Sequence, residues 1–164
     1  MQKIITYLWF DKQCEEAMNF YVDVFKGAPS KQAQDSEITE ITRYPEGYNE
    51  GPMAGMEGKV INGTFKLAGQ KFYALDGGPI FKFNEAVSLY VECEDQAEID
   101  YFWGKLSAVP ESEQCGWLKD KFGLSWQIIP KNMGELLQTK SQIDTMLKMH
   151  KIVIADLEKV GKEK

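Results

Sequence analysis

The chain has 164 residues, 43% of them hydrophobic and 12% aromatic, so it can bury a full core as one domain or as two small fused halves. Its net charge of −6 at pH 7 argues against a nucleic-acid partner, because no basic stripe is present to neutralise phosphates. The three cysteines are widely spaced and form no C-x-x-C pair, which indicates neither a disulfide framework nor a thiolate zinc site.

The N-terminal residues contain no signal peptide and no apolar run of membrane-spanning length. Together with unpaired cysteines, which fit a reducing compartment, this pattern predicts a cytoplasmic protein without a membrane partner.

The first half of the chain begins with a predicted strand and a predicted helix. Residues 4–10 are aromatic and β-branched, which is typical of a strand. Over residues 14–25 the apolar side chains recur at helical spacing, and Gly27 ends that pattern. A loop rich in Gly and Pro follows at 45–58, and residues 67–76 read as a hairpin.

The second half repeats this order. Residues 86–91 form a second predicted strand and residues 98–106 a second predicted helix, and both match the first half at an offset of 81. The hairpins match at an offset of 51, which places Asp76 opposite Gln127 in the repeat.

These repeats predict an α+β fold made of two tandem βαβββ units that form a curved mixed sheet around a cavity. The halves cover 1–80 and 81–130 of a single domain, 1–164. Residues 131–164 are predicted to form a helical C-terminal extension, with helices near 133–137, 142–149 and 153–160.

Alternation along the predicted strands divides their side chains between two faces. In the first half Tyr7 and Trp9 share the face away from the helix, and in the second half Ser88, Tyr90 and Glu92 do so. An aromatic and mildly polar cavity of this kind suits a small ligand. The alternative is that these aromatic residues pack in the core or at a dimer interface.

Three blocks of sequence carry a family resemblance: Tyr7-Leu8-Trp9-Phe10-Asp11, Gly77-Gly78-Pro79 with the residues that follow it, and residues 114–130. With the doubled βαβββ pattern, they make the chain similar to the glyoxalase/bleomycin-resistance/extradiol-dioxygenase superfamily, also called vicinal oxygen chelate. Within it the chain resembles the PhnB-like, demethylubiquinone methyltransferase-like subfamily. The resemblance implies a homodimer, because members often complete their cavities across two subunits.

The resemblance also implies four positions where metal-dependent members place their ligands. In this chain they fall on Ile5, Asp76, Ala86 and Gln127, and two of the four side chains have no donor atom. We therefore expect no transition-metal cofactor. Asp76 and Gln127 remain weak candidates for a divalent ion held together with water. Alternatively, Asp76 organises the turn at Gly77-Gly78-Pro79.

Three functions follow from these residues. The first is a metal-free small-molecule-binding protein whose ligand contacts Tyr7, Trp9, Asp76, Ser88, Tyr90, Glu92 and Gln127. The second is a metal-dependent enzyme of the isomerase or lyase type. The third is the methyltransferase that the subfamily's label describes, although the chain contains no G-x-G-x-G loop. Whether the protein catalyses a reaction is left open, and no catalytic residue is assigned.

Overall fold

The computed structural model describes residues 1–162, so the last two residues of the predicted extension 131–164 lie outside the described chain. The chain divides into two compact units, Met1–Lys82 and Phe83–Lys164. Each unit combines one mixed sheet with helices, which confirms the predicted α+β fold class. No helix among residues 1–162 has the length and apolar character that a membrane span requires.

The first unit contains a four-stranded sheet in the order β1-β4-β3-β2. Strands β1 and β4 are parallel, whereas β4, β3 and β2 are antiparallel neighbours. Its elements are β1 (Thr6–Phe10), α1 (Cys14–Lys26), α2 (Lys31–Gln34), β2 (Glu37–Arg43), β3 (Val60–Leu67) and β4 (Gln70–Asp76).

Helix α1 covers one face of this sheet. Ala17, Met18 and Tyr21 are fully buried on the stripe that the sequence pattern indicated. Met18 lies over Gly63 of β3, where a Cβ atom would come within 2.4 Å of its sulfur. A glycine therefore lets the helix approach the strand closely.

The β3–β4 hairpin turns through Ala68 and Gly69, which both have positive φ, 51° and 81°. Leu67 pairs with Gln70 across this turn, so the loop has two residues. Two consecutive positive φ values are the signature of the type I′ turn, whose twist matches that of the flanking strands.

The second unit contains a three-stranded sheet in the order β5-β7-β6, with β5 and β7 parallel. The predicted βαβββ order is thus complete in the first unit, and the second has one strand fewer among its described residues. The predicted strand over 86–91 begins two residues later, so Ala86 precedes it. Its elements are β5 (Ser88–Cys93), α3 (Gln96–Leu106), a 3-10 turn (Pro110–Ser112), β6 (Trp117–Lys119), β7 (Ser125–Pro130), α4 (Met133–Leu136), α5 (Lys140–Leu147) and α6 (Ile154–Gly161).

Helix α3 packs on one face of this second sheet. Asp95 caps its first turn by accepting a hydrogen bond from the Glu98 amide at 2.9 Å. The helix and the strands both contribute buried side chains to one core. These are Ile99, Phe102 and Leu106 of α3 and Leu118, Trp126 and Ile128 of the sheet.

The C-terminal helices form a smaller core of their own. Leu136, Ile152 and Leu157 are buried against Ile129 of β7, so the extension packs onto the sheet of the second unit. Thr139 and Gln142 form a capping box that fixes the start of α5.

The strand register corrects one expected correspondence between the halves. Leu8 pairs with Ala74, and its repeat partner Leu89 pairs with Trp126, so 74 corresponds to 126 at an offset of 52. The predicted hairpin offset of 51 is wrong by one residue. Because neighbouring side chains on a strand point to opposite faces, this difference moves Asp76 to the other side of the sheet.

Candidate functional site

The aromatic face of the first unit is the side of its sheet away from α1, and it carries Tyr7, Trp9 and Tyr73. Tyr7 is 49% exposed, and its ring lies 5.4 Å from that of Tyr73, its neighbour across the β1–β4 pair. The Tyr7 hydroxyl donates to Asn62 Oδ1 at 2.5 Å. Partial burial raises the pKa of Tyr7 above its ordinary value, so this phenol stays protonated and acts as a donor.

Trp9 is held from two sides. Its indole N–H donates to the carbonyl oxygen of Gly78 at 3.0 Å, and Phe81 packs edge-on against it with ring centroids 4.9 Å apart. A Cβ atom at position 77 would lie 2.2 Å from the Trp9 ring. The absence of a side chain at Gly77 therefore makes room for the indole, and the Gly77-Gly78-Pro79 segment fixes the position of Trp9.

Asp76 does not belong to the aromatic face. It pairs with Phe10 on the side of α1 and is 1% exposed. Its Oδ1 accepts from the Cys14 amide and its Oδ2 from the Val60 amide, both at 2.9 Å. Asp76 thus caps α1 and anchors the start of β3. The expectation that it faces the same cavity as Gln127 is corrected: at the true offset of 52, Leu75 takes that position.

The polar face of the second unit is the side of its sheet away from α3. Register and alternation place eight side chains of β5, β7 and β6 on it: Ser88, Tyr90, Glu92, Trp117, Lys119, Ser125, Gln127 and Ile129. Four of these, Ser88, Tyr90, Glu92 and Gln127, are among the predicted ligand contacts.

Gln127 lies near the middle of the polar face, between Tyr90 on β5 and Trp117 on β6. Its amide nitrogen donates to the Ser88 hydroxyl oxygen at 2.9 Å. That bond orients the amide nitrogen of Gln127 towards β5. The carbonyl oxygen of the same amide is not used in this bond and can accept a hydrogen bond from a ligand.

Tyr90 is 51% exposed beside Gln127. Partial burial, and then the Glu92 carboxylate and Cys93, raise the pKa of the phenol, so it too remains a neutral donor.

The C-terminal extension bounds this face at one end. Ile129 follows Gln127 by two residues on the same side of β7 and pairs with Glu92, yet it is buried in the core of α4–α6. Glu92 is exposed on the neighbouring strand. The candidate binding residues on this face therefore extend from Ser88 towards Glu92 and stop where the extension begins.

Two residues of the polar face that were not predicted from the sequence, Trp117 and Ser125, carry buried polar atoms. The Ser125 hydroxyl and the Trp117 indole nitrogen are both buried, and neither has a hydrogen-bond partner among the described residues. Alternation from Gln127 reaches Ser125, but Trp117 joins the face only through the β6–β7 pairing, which depends on the exact turn length.

The side chains at the four positions that the resemblance implies for metal ligands do not fit a transition metal. Ile5 and Ala86 have no donor atom, and both oxygens of Asp76 already accept backbone amides on the helix side of its sheet. Gln127 alone remains, whereas such sites normally need three or four protein ligands. No cluster of three His, Cys, Asp or Glu side chains suited to a metal occurs within residues 1–162.

The buried thiols do not supply a nucleophile. Burial, followed by the nearby Asp76 carboxylate, raises the pKa of Cys14 to about 12, and burial followed by Glu98 raises that of Cys93 to about 12. Both therefore stay protonated at neutral pH.

A family model described as 3-demethylubiquinone-9 3-methyltransferase matches residues 2–129. A solved structure from Bacillus cereus, described as a proposed 3-demethylubiquinone-9 3-methyltransferase and PhnB protein, is 42% identical to this chain. The match covers 79% of this chain and 99% of that chain, with a TM-score of 0.62. No curated protein matches the chain.

A protein from Pseudomonas aeruginosa has a similar fold at 17% identity, with a TM-score of 0.57 over 80% of this chain and 98% of that chain. The family model ends at residue 129, so helices α4–α6 lie beyond it.

Proposed function

The chain belongs to the 3-demethylubiquinone-9 3-methyltransferase family, and from that premise we propose that it binds a small molecule on the polar face of its second unit, without a transition metal. The motifs around Trp9 and Gly77-Gly78-Pro79 support placing the family in the glyoxalase-like superfamily. A cytoplasmic homodimer is part of the same proposal.

The observation that carries this proposal is the arrangement of Tyr90, Gln127 and Ser88. A half-exposed aromatic ring lies beside an amide whose orientation is fixed by a neighbouring hydroxyl. Ligand sites typically combine apolar surface with a few well-oriented polar groups. Glu92 extends the proposed set at the end of the face.

The aromatic face of the first unit, taken by itself, is a second candidate ligand surface. Tyr7 and Trp9 present ring surface, and their polar atoms are held by Asn62 and Gly78. Both remain proposed ligand-binding residues. Asp76 leaves the set, because its carboxylate oxygens serve the backbone of the first unit.

A thermal-shift screen of small aromatic and carboxylated metabolites tests where the ligand binds. We expect at least one compound to raise the melting temperature of the wild-type protein. The Tyr90→Ala/Gln127→Ala variant should lose most of this increase, because it lacks both the ring and the oriented amide.

Tyr101→Ala is the matched control, because it removes a tyrosine from α3, which packs on the opposite face of the same sheet. It should retain the increase. The proposal fails if no compound stabilises the wild type, or if Tyr90→Ala/Gln127→Ala responds like the wild type.

Methyl transfer is the second candidate, and the family's description is what favours it. S-adenosylmethionine is therefore included in the screen. A stabilisation by S-adenosylmethionine that exceeds those of the other compounds would favour methyl transfer over simple ligand binding.

A further inference from the structure

We propose that Trp117 and Ser125 form a subsite on the polar face that donates hydrogen bonds to the oxygen atoms of a ligand carboxylate. This inference deepens the proposed function and rests on it. It assigns a chemical class to the ligand and a role to two residues outside the predicted site.

The first support is the state of the two donors. Ser125 is 1% exposed, and both its hydroxyl and the Trp117 indole N–H are buried with no partner among residues 1–162. Leaving a buried donor unpaired is costly, so buried donors normally meet an acceptor. An indole N–H can only donate, so the group it meets must carry a lone pair.

The second support is their placement. Trp117 pairs with Gln127, and Ser125 lies two residues before Gln127 on the same strand and face. Diagonal neighbours of this kind have Cα atoms about 7–8 Å apart, within reach of one small ligand for side chains that lean towards each other. The subsite is therefore continuous with the proposed ligand contacts at Gln127 and Tyr90.

The third support is charge. Lys119 pairs with Ser125 in the register and shares its face. Its ammonium forms an ion pair with Glu85, whose side chain is largely exposed, and this pairing lowers the pKa of the Glu85 carboxyl. An ammonium has three donors and Glu85 accepts one of them, so Lys119 can also donate to an anionic oxygen at this edge. A carboxylate, with two oxygens, can accept from both donors, and an attached ring would face Tyr90.

Benzoate is the probe for this subsite, because it joins a carboxylate to one aromatic ring. Protein labelled with ¹⁵N at tryptophan gives indole N–H signals from its four tryptophans, and Trp117→Phe identifies the Trp117 signal. We expect benzoate to move that signal downfield in a saturable way. The Trp126 signal should stay in place, because its indole lies in the core with α3 and already donates to Asp120.

Ser125→Ala should weaken benzoate binding about tenfold or more, as expected for a lost hydrogen bond to a charged group. Ser141→Ala, at an exposed position of α5, is the matched control and should bind like the wild type. Benzylamine has the same ring but no acceptor oxygen, so it should leave the Trp117 signal unchanged.

The subsite is ruled out if benzoate does not move the Trp117 signal, if Ser125→Ala keeps full affinity, or if benzylamine moves the signal equally. Two results together would reject the subsite and retain the proposed function. The Tyr90→Ala/Gln127→Ala variant would lose ligand-induced stabilisation, and benzoate would not shift the Trp117 signal of the wild-type protein. If no compound binds the wild type at all, both fall.

Discussion

Replacing Asp120 with alanine is expected to lower the free energy of unfolding by about 4 kcal/mol. Asp120 is 1% exposed in the turn between β6 and β7. Its Oδ1 accepts from the amides of Phe122 and Leu124 at 2.8 and 3.0 Å, and its Oδ2 accepts from the Trp126 indole at 2.9 Å. Alanine would leave three donors without this acceptor, and two of these bonds are fully buried.

Urea denaturation followed by circular dichroism and tryptophan fluorescence measures this loss. Asp120→Asn should cost about half as much, because its carbonyl oxygen can still accept the two backbone amides while its NH₂ group faces the indole N–H. Asp156→Ala, at an exposed aspartate of α6, should cost less than about 1 kcal/mol. An Asp120→Ala loss as small as that of the control would contradict the anchoring role.

Asp76→Ala is expected to destabilise the protein by about 3 kcal/mol, because the buried amides of Cys14 and Val60 would lose their acceptor. Asp76→Asn should be intermediate, since one of its two positions becomes a donor facing a donor. Asp23→Ala, on the exposed side of α1, is the control and should stay within about 0.5 kcal/mol of the wild type.

The Asp76 variants also separate the structural role from the ligand role that the sequence suggested. The structural role predicts that Asp76→Asn loses stability and that the variant protein still binds the screened ligand. If Asp76→Asn keeps the stability of the wild type but no longer binds the ligand, Asp76 has a ligand-binding role and not the structural one.

The sequence predicted the elements of both units well where periodicity is strong. Helix α1 follows a clear 3.6-residue pattern with Gly27 at its end, and α3 was placed within two residues of its observed start at Gln96. These patterns report which side chains meet the core, so they determine element type and the buried face.

The same patterns did not determine register. The repeat of the hairpins was placed one residue out, because Leu75 and Trp126 are both apolar and align as plausibly as Ala74 and Trp126 do. Hydrophobicity cannot separate a buried aspartate that caps α1 from one that faces a ligand. Only the pairing of Asp76 with Phe10 does so.

The missed residues have a related cause. Trp117 and Ser125 look like ordinary strand residues, and their unpaired donors become apparent only when β6 is paired with β7. Nothing in the sequence indicated that the Asp120 carboxylate would accept a hydrogen bond from the indole of Trp126, six residues later.

Isothermal titration calorimetry of the most stabilising compound tests most directly whether binding on the polar face is independent of metal. The protein is titrated after dialysis against EDTA, and again after addition of nickel, zinc, cobalt, manganese or magnesium. We predict one binding event per chain with the same Kd in every case, because Gln127 is the sole side chain with an available oxygen among the four positions that the resemblance implies for metal ligands. Binding that appears only after a metal is added, and is lost in Gln127→Ala, would contradict this and favour the metal-dependent isomerase or lyase.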